Sequence, residues 1–251
     1  MAAAIAYSLQ DTQPDIFYPD SDGKPTANNT EHAECIATTK YGIESVFADR
    51  DDVFVAMDLF WYPVKGKPRI VLAPDVMVAL GRPPGKRKSY RQWEEGGIAP
   101  QVVFEFLSDS NTTSEMAAKA VFFERYGVQE YYIYDLERKE LSGLIRFKEE
   151  DDLLEEIPDM NDWTSPRLGI RFDMSSGNLQ LYKPDGQPFL SFLEVEALRQ
   201  QAEAKLEQAR EELGETREQL LITAQMLDQS QSRTNALAAK LRELGINPDV
   251  L

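Results

Sequence analysis

The chain has 251 residues and a net charge of −16, with 43 acidic against 27 basic residues. This length suffices for one good-sized hydrophobic core with an appendage, and the acidic balance opposes global binding to nucleic acid or to an anionic membrane. The single cysteine, Cys35, excludes an intramolecular disulfide, and the single histidine, His32, excludes a zinc cluster built from Cys and His.

The N-terminus lacks the basic flank and apolar stretch of a secretory signal. No apolar run approaches the ~20 residues that a membrane span requires. We therefore expect a cytoplasmic protein without a membrane partner.

Residues 1–28 are polar and rich in turn formers, which predicts an irregular N-terminal arm. The next segment predicts a helix over residues 31–47, because Ile36, Ile43 and Val46 recur near helical spacing. Apolar runs then predict five strands, at residues 53–64, 69–80, 101–108, 130–135 and 141–147.

A second helix is predicted after the third of these strands. Thr112 and Glu115 have the spacing of a capping box, and Gly127 supplies a left-handed C-terminal stop. The predicted order along the chain is a helix, three strands, a second helix and then strand again. This order indicates an α/β domain over residues 29–190, with a mixed sheet flanked by helices. Near its end, Pro-Asp-Gly at 184–186 predicts a hairpin turn.

Residues 191–246 predict a coiled-coil helix, followed by a short tail at 247–251. One row of residues recurs every seven positions: Leu206, Leu213, Leu220, Leu227, Thr234 and Leu241. The companion row is Ala202, Ala209, Thr216, Thr223, Ser230, Leu237 and Leu244. Such a seam favours self-association, although its small and hydroxylated residues leave the number of chains open.

Two carboxylates interrupt apolar strand faces. Glu105 shares its face with Val103 and Leu107. Asp75 lies in the predicted strand 69–80, and its face is shared with Val71, Ala73, Met77 and Ala79. An unpaired buried charge costs several kcal/mol, so each acid needs a partner or a function.

Lys119 similarly falls inside the core-facing stripe of the second helix, between Met116 and Phe123. Two carboxylates on adjacent strands can share Mg²⁺ or Mn²⁺, and the lysine can then orient a water molecule and offset charge on a phosphoryl group. The structural alternative is an ion pair between Glu105 and Lys119, with Asp75 capping a bend.

Three stretches make a family resemblance specific: "APDVMVALGRP", "QVVFEFLS" and "KAVFFERYGVQEYYIYD". They resemble the Uma-two-type restriction endonuclease family of the PD-(D/E)XK nuclease superfamily, over roughly residues 15–190. The resemblance implies a restriction-endonuclease-like fold and metal-dependent cleavage of DNA. It places the first motif on Pro74 and Asp75 and the second acid on Glu105, and it makes the backbone carbonyl of Phe106 a further metal ligand.

The superfamily's lysine usually stands two residues after the second acid, where this chain has Leu107. The resembled family moves that role to the next helix, which implies Lys119. Asp58 is implied as an accessory acid and metal ligand, and Glu34 as a weaker one. Two departures are Asp109, where the family often has proline, and Glu115, where it often has Asp.

One dense basic cluster lies between the two acidic motifs, in "GRPPGKRKSYRQW". Its basic residues, Arg82, Lys86, Arg87, Lys88 and Arg91, stand beside Tyr90 and Trp93. Lysine and arginine for phosphates and aromatic rings for stacking suit a DNA-binding loop. The alternative is a solvated loop whose charges balance Glu94 and Glu95.

Two functions therefore remain open. The first is a metal-dependent endonuclease that hydrolyses DNA phosphodiester bonds with Asp75, Glu105 and Lys119. The second is a nuclease-fold protein with weak or no catalysis, which acts as an oligomerisation or interaction module through its coiled coil.

Overall fold

The structure is a computed structural model that describes residues 16–21, 29–108, 111–148, 152–245 and 247. Most of the predicted N-terminal arm and C-terminal tail lies outside these residues. The chain divides into two compact units, Met1–Ser191 and Phe192–Leu251.

The first unit is built on a six-stranded mixed sheet. Its strands in chain order are β1 (Val53–Met57), β3 (Val76–Leu80), β5 (Val102–Leu107), β6 (Glu130–Asp135), β7 (Glu140–Ile145) and β8 (Glu155–Glu156). They are ordered β1-β3-β5-β6-β7-β8, and only β5 and β6 run parallel. Two small sheets accompany it: β2 (Trp61–Tyr62) with β4 (Tyr90–Arg91), and β9 (Arg171–Asp173) with β10 (Gln180–Tyr182). The predicted α/β class with a mixed sheet is confirmed.

Two predicted strands are shorter than expected. The run 53–64 divides into β1 and β2 because Asp58 adopts a left-handed backbone, with φ of 48°, that ends the extended conformation. The run 69–80 forms a strand only from Val76, so the predicted pleat shared by Asp75 with Val71 and Ala73 is wrong. Asp75 stands immediately before β3 instead.

Two helices cover opposite faces of the sheet. Helix α1 (Thr30–Val46) is capped by Asn29, whose side chain accepts a hydrogen bond from the His32 N–H. Its Ile36 and Ile43 pack in one core cluster with Phe104 of β5. Helix α2 (Thr113–Tyr126) packs through Phe123 against the other face. Because successive residues of a strand point to opposite faces, Glu105 points toward α2.

Helix α2 begins and ends where the sequence predicts. Thr112 and Glu115 form both hydrogen bonds of the capping box, and Gly127 closes the helix with φ of 100°. The helix connects the parallel strands β5 and β6 as a crossover. This connection fixes α2 above β5 and therefore fixes Lys119 above Glu105.

The predicted Pro-Asp-Gly turn is present, and the segment that follows it packs on α1. The Phe189 N–H donates to the Leu181 carbonyl, and the Phe189 ring lies against Gly42 so closely that a Cβ there would come within 2.1 Å of the ring. Gly42 is thus required by packing, although glycine weakens a helix interior.

Substitution of Gly42 by alanine should lower the free energy of unfolding by about 1–3 kcal/mol, because overpacking of the Phe189 ring outweighs the better helix propensity of alanine. Chemical denaturation measures the change. Gly214→Ala is the matched control, since that helical glycine has no atom within 4 Å of an added Cβ. The control should not destabilise; equal responses at both positions would show that Phe189 does not pack on Gly42.

The second unit contains helix α3 (Phe192–Glu243), 52 residues long. The leucines of the predicted seam at 206, 213, 220 and 227 are all exposed. The helix is confirmed, whereas its pairing with another chain stays a prediction. Among the described residues, no helix is both long and apolar enough to cross a membrane.

Candidate active site

Asp75 and Glu105 meet at the junction of β3 and β5. The antiparallel register pairs Val76 with Phe104, so one residue further Asp75 stands opposite Glu105. The Phe106 N–H donates to Asp75 Oδ2 at 2.7 Å, which joins the two chain segments directly. The sheet therefore brings together two acids that are 30 positions apart in the sequence.

Glu105 is almost fully buried, with 2% of its surface exposed. Lys119 Nζ donates to Glu105 Oε2 at 2.6 Å. The other carboxylate oxygen, Oε1, is buried and has no hydrogen-bond partner among the described residues. A buried acceptor without a donor costs about 1–3 kcal/mol, and more if charged, so the ion pair with Lys119 satisfies only half of this carboxylate.

Burial and the charge of Asp75 raise the pKa values of the acids near that residue. Burial, followed by the charge of Asp75, raises the pKa of Glu105 against the opposing effect of Lys119. Burial alone would lower the pKa of Lys119, but the ion pair with Glu105 raises it. Burial and the charge of Asp75 also raise the pKa of Asp58 to about 7. The site therefore concentrates more negative potential than its single lysine neutralises.

His32 is a site residue that the sequence analysis missed. It is 4% exposed, its Nε2 lies 3.5 Å from Asp75 Oδ2, and its Nδ1 has no hydrogen-bond partner among the described residues. The Asp75 carboxylate raises the pKa of His32 against the opposing effect of burial. The sequence could have indicated that His32 is buried, because it precedes Ile36 by four residues and so falls on the buried stripe of α1.

One cavity of about 1110 Å³ opens onto these groups. His32, Asp75, Glu105 and Lys119 all line it. Part of its lining is a face of α2 that continues from Lys119 to Tyr126, and another part is the irregular segment 68–73. This segment is the part of the predicted strand 69–80 that does not pair as a strand, apart from an isolated bridge between Leu72 and Trp61.

The residues fit a hard divalent cation. Two carboxylates meet at one cavity, and Glu105 Oε1 offers a buried oxygen that no described donor satisfies. Within the described ranges, no set of three or more His, Cys, Asp or Glu side chains is arranged to hold a metal. A cation here would accordingly be held by Asp75 and Glu105, with its remaining positions left to water or backbone oxygen.

The other predicted metal ligands differ in how they relate to the site and to the cavity. Phe106 reaches the site through its N–H, and its backbone carbonyl as a metal ligand stays a prediction. The Asp58 N–H donates to the carbonyls of Pro74 at 3.2 Å and Asp75 at 3.3 Å, so this acid adjoins the site without lining the cavity. Glu34 is exposed on α1 and is also absent from the cavity lining, and Asp109 lies outside the described residues.

The arginines of the predicted DNA-binding loop form ion pairs with Glu94 and Glu95 of the same segment. Arg82 and Arg87 both pair with the carboxylate of Glu95, at 2.8 and 2.6 Å. Arg91 pairs with Glu94 at 3.3 Å, while Lys86 and Lys88 are exposed. The charge balance expected for a solvated loop is thus present for its three arginines. None of the five basic residues lines the cavity.

Replacing Glu95 by glutamine should reduce stability in a pH-dependent way. Arg87 and Arg82 lower the pKa of Glu95 below its ordinary value of 4.5. A lowered pKa in the folded state means that this contribution is fully present above about pH 4.5 and is lost as the pH falls through the folded-state pKa. Thermal melts from pH 3 to 7 should show wild type and Glu95→Gln converging in acid. A constant difference would contradict the assignment.

Sequence comparison identifies the family of this chain. Residues 7–175 match the Uma2 family, described as "Putative restriction endonuclease". The match covers more than half of the chain, so the protein belongs to this family, which confirms the resemblance of its motifs. No curated protein matches the chain.

One solved structure similar to this chain is titled as a putative nuclease belonging to DUF820 from Anabaena variabilis. Its TM-score is 0.41 and its sequence identity is 13%, and the similarity covers 56% of this chain and 75% of that chain.

Proposed function

We propose that the protein is an endonuclease that hydrolyses DNA phosphodiester bonds with Mg²⁺ or Mn²⁺ held by Asp75 and Glu105. One observation carries this proposal: two opposed carboxylates and an ammonium group line one cavity, and a buried oxygen of Glu105 has no donor within the described part of the chain. Membership in the Uma2 family, which is described as "Putative restriction endonuclease", supports the same class of reaction.

The roles of the side chains follow from their positions. When bound, the cation supplies Lewis-acid stabilisation of the phosphoryl oxygens. Lys119 lies at the cavity with its ammonium on Glu105, where it can hold the attacking water and offset the charge that develops on the phosphate. The Phe106 N–H and His32 hold Asp75 in place.

The direct experiment is nicking of supercoiled plasmid DNA. The proposal predicts cleavage with Mg²⁺ or Mn²⁺ and none with a chelator in excess. Absence of cleavage on duplex and single-stranded DNA, together with no metal-dependent rise in melting temperature, would instead support the interaction module.

That second function has its own supporting observation. Lys119 contacts Glu105 at 2.6 Å, the geometry that a structural ion pair would have. The exposed leucines of α3 give such a module a surface for self-association. Both functions keep the cytoplasmic location expected from the sequence.

DNA would reach the acids past two cationic residues that the sequence analysis missed. Arg69 and Arg125 are exposed and line the cavity, together with the aromatic residues Phe122 and Tyr126. Arg125 has no basic neighbour in the sequence, whereas Arg69 follows Lys65 and Lys67 in a shorter basic run than that of the predicted loop. Arginine at the mouth of the cavity can bind phosphate, and the rings can contact bases.

Replacement of Arg125 by alanine should weaken DNA binding and reduce the salt dependence of binding by about one phosphate contact. Titration of labelled DNA at several salt concentrations measures both effects, with Ca²⁺ present so that cleavage does not interfere. Lys86→Ala with Lys88→Ala tests the predicted loop in the same way. If only the loop variant changes the salt slope, the DNA path does not run past Arg125.

A further inference from the structure

The two rows of the α3 seam differ systematically in side-chain size. The first row carries leucine at 206, 213, 220 and 227, and the second carries alanine, threonine or serine at 202, 209, 216, 223 and 230. The leucines of the first row are 52–69% exposed. Along this stretch the helix therefore presents a ridge of large residues beside a groove of small ones.

The hydroxyl groups of both threonines of the small row are already satisfied within the helix. The hydroxyl of Thr216 donates to the Glu212 carbonyl at 2.9 Å, and that of Thr223 donates to the Gln219 carbonyl at 2.8 Å. These threonines can turn a methyl group toward a partner without leaving an unpaired hydroxyl in an apolar interface. Burial of these two threonines is thus free of the usual cost of a polar group.

In a parallel pair of two such helices, the large residues of one helix would not face the small residues of the other. Each row would meet its own copy, so layers of paired leucines would alternate with layers of paired alanines or threonines. The leucine layers would hold the helices apart, and the small layers would leave cavities. Cavities of this kind destabilise a protein core.

Antiparallel pairing places each large residue against a small one. We propose that two copies of this chain associate through α3 in the antiparallel orientation, with the centre of the pair near Glu218. The layers are then Leu206 with Ser230, Leu213 with Thr223, Leu220 with Thr216, and Leu227 with Ala209. Thr234 meets Ala202 in the same register, and nearly the whole helix overlaps.

The distribution of charge does not by itself decide the orientation. Residues 192–217 contain seven acidic and four basic side chains, whereas residues 218–243 contain three of each. Parallel pairing would set two acidic halves beside one another, and antiparallel pairing sets each acidic half beside a neutral one. The residues that flank the seam give one like-charge contact in the parallel pair, between Lys205 and Arg210, and two in the antiparallel pair, Lys205 with Arg233 and Arg217 with its copy. Packing of large against small residues therefore decides the orientation.

Cysteine cross-linking of the full-length chain tests the orientation. Cys35→Ser removes the one native thiol, and Ala202→Cys and Thr234→Cys are then made separately on differently tagged chains. These positions lie about 48 Å apart along one helix, at 1.5 Å per residue. Co-expression and oxidation should give a disulfide-linked pair that carries both tags, and neither variant alone should cross-link.

A matched pair on the outer face of the helix, Ala204→Cys with Ser232→Cys, should give no cross-link. Light scattering should report a mass of two chains for the wild type and of one chain for Leu213→Lys with Leu220→Lys. Cross-linking of Ala202→Cys with itself, any other wild-type mass, or a two-chain mass for the lysine variant would overturn the proposal. These outcomes are independent of DNA cleavage.

Discussion

Lys119→Met is expected to lower the free energy of unfolding by about 3–5 kcal/mol in the absence of metal, because it leaves the buried Glu105 carboxylate without its partner. A saturating divalent cation should restore much of this loss by taking the place of the ammonium charge. At a concentration 100 times its Kd, a bound cation stabilises by about 2.7 kcal/mol. Chemical denaturation with and without Mg²⁺ or Mn²⁺ measures both effects.

A metal site and a structural ion pair differ in how the stability of the Lys119→Met variant responds to a divalent cation. The double variant Lys119→Met with Glu105→Leu removes both charges, so it should recover stability without responding to metal. If Lys119→Met alone also failed to respond, Glu105 and Lys119 would be a structural ion pair and not part of a metal site.

Asp75→Asn and Glu105→Gln should each lower kcat/KM for plasmid nicking by at least about 100-fold, because either change removes a charge that holds the cation and replaces it with a weaker ligand. Initial rates measured over a range of Mn²⁺ concentrations distinguish weaker metal binding from a slower reaction. Circular dichroism checks that the variants remain folded.

Glu44→Gln is the matched control for these variants. Glu44 pairs with Lys40 on α1 and is absent from the cavity lining, and a surface pair of this kind contributes little stability. The control should cleave at the wild-type rate. If Asp75→Asn and Glu105→Gln also retained that rate in folded protein, the cleavage would arise elsewhere.

Several elements could be predicted because their signals are local. The capping box at Thr112, the stop at Gly127 and the apolar run around Glu105 each specify structure over a few residues. A carboxylate in a buried strand and a lysine in a core-facing stripe need compensation wherever they lie. Their meeting at 2.6 Å follows from the crossover that connects β5 to β6.

Other features depend on contacts that the sequence does not show. The strand 69–80 was predicted too long because the segment before Val76 forms a cavity wall, although its composition suits a strand. The arginines of the basic loop are bound by Glu95 through tertiary packing. The proximity of His32 to Asp75 depends on how α1 packs on the sheet.

The central claim is that Asp75 and Glu105 form one metal site beside Lys119. Anomalous scattering from a crystal of the protein soaked with Mn²⁺ tests it most directly. The account predicts a peak within coordination distance of a carboxylate oxygen from both acids. Acids that stay bound only to Lys119, His32 and the Phe106 N–H, with no peak at saturating Mn²⁺, would contradict it.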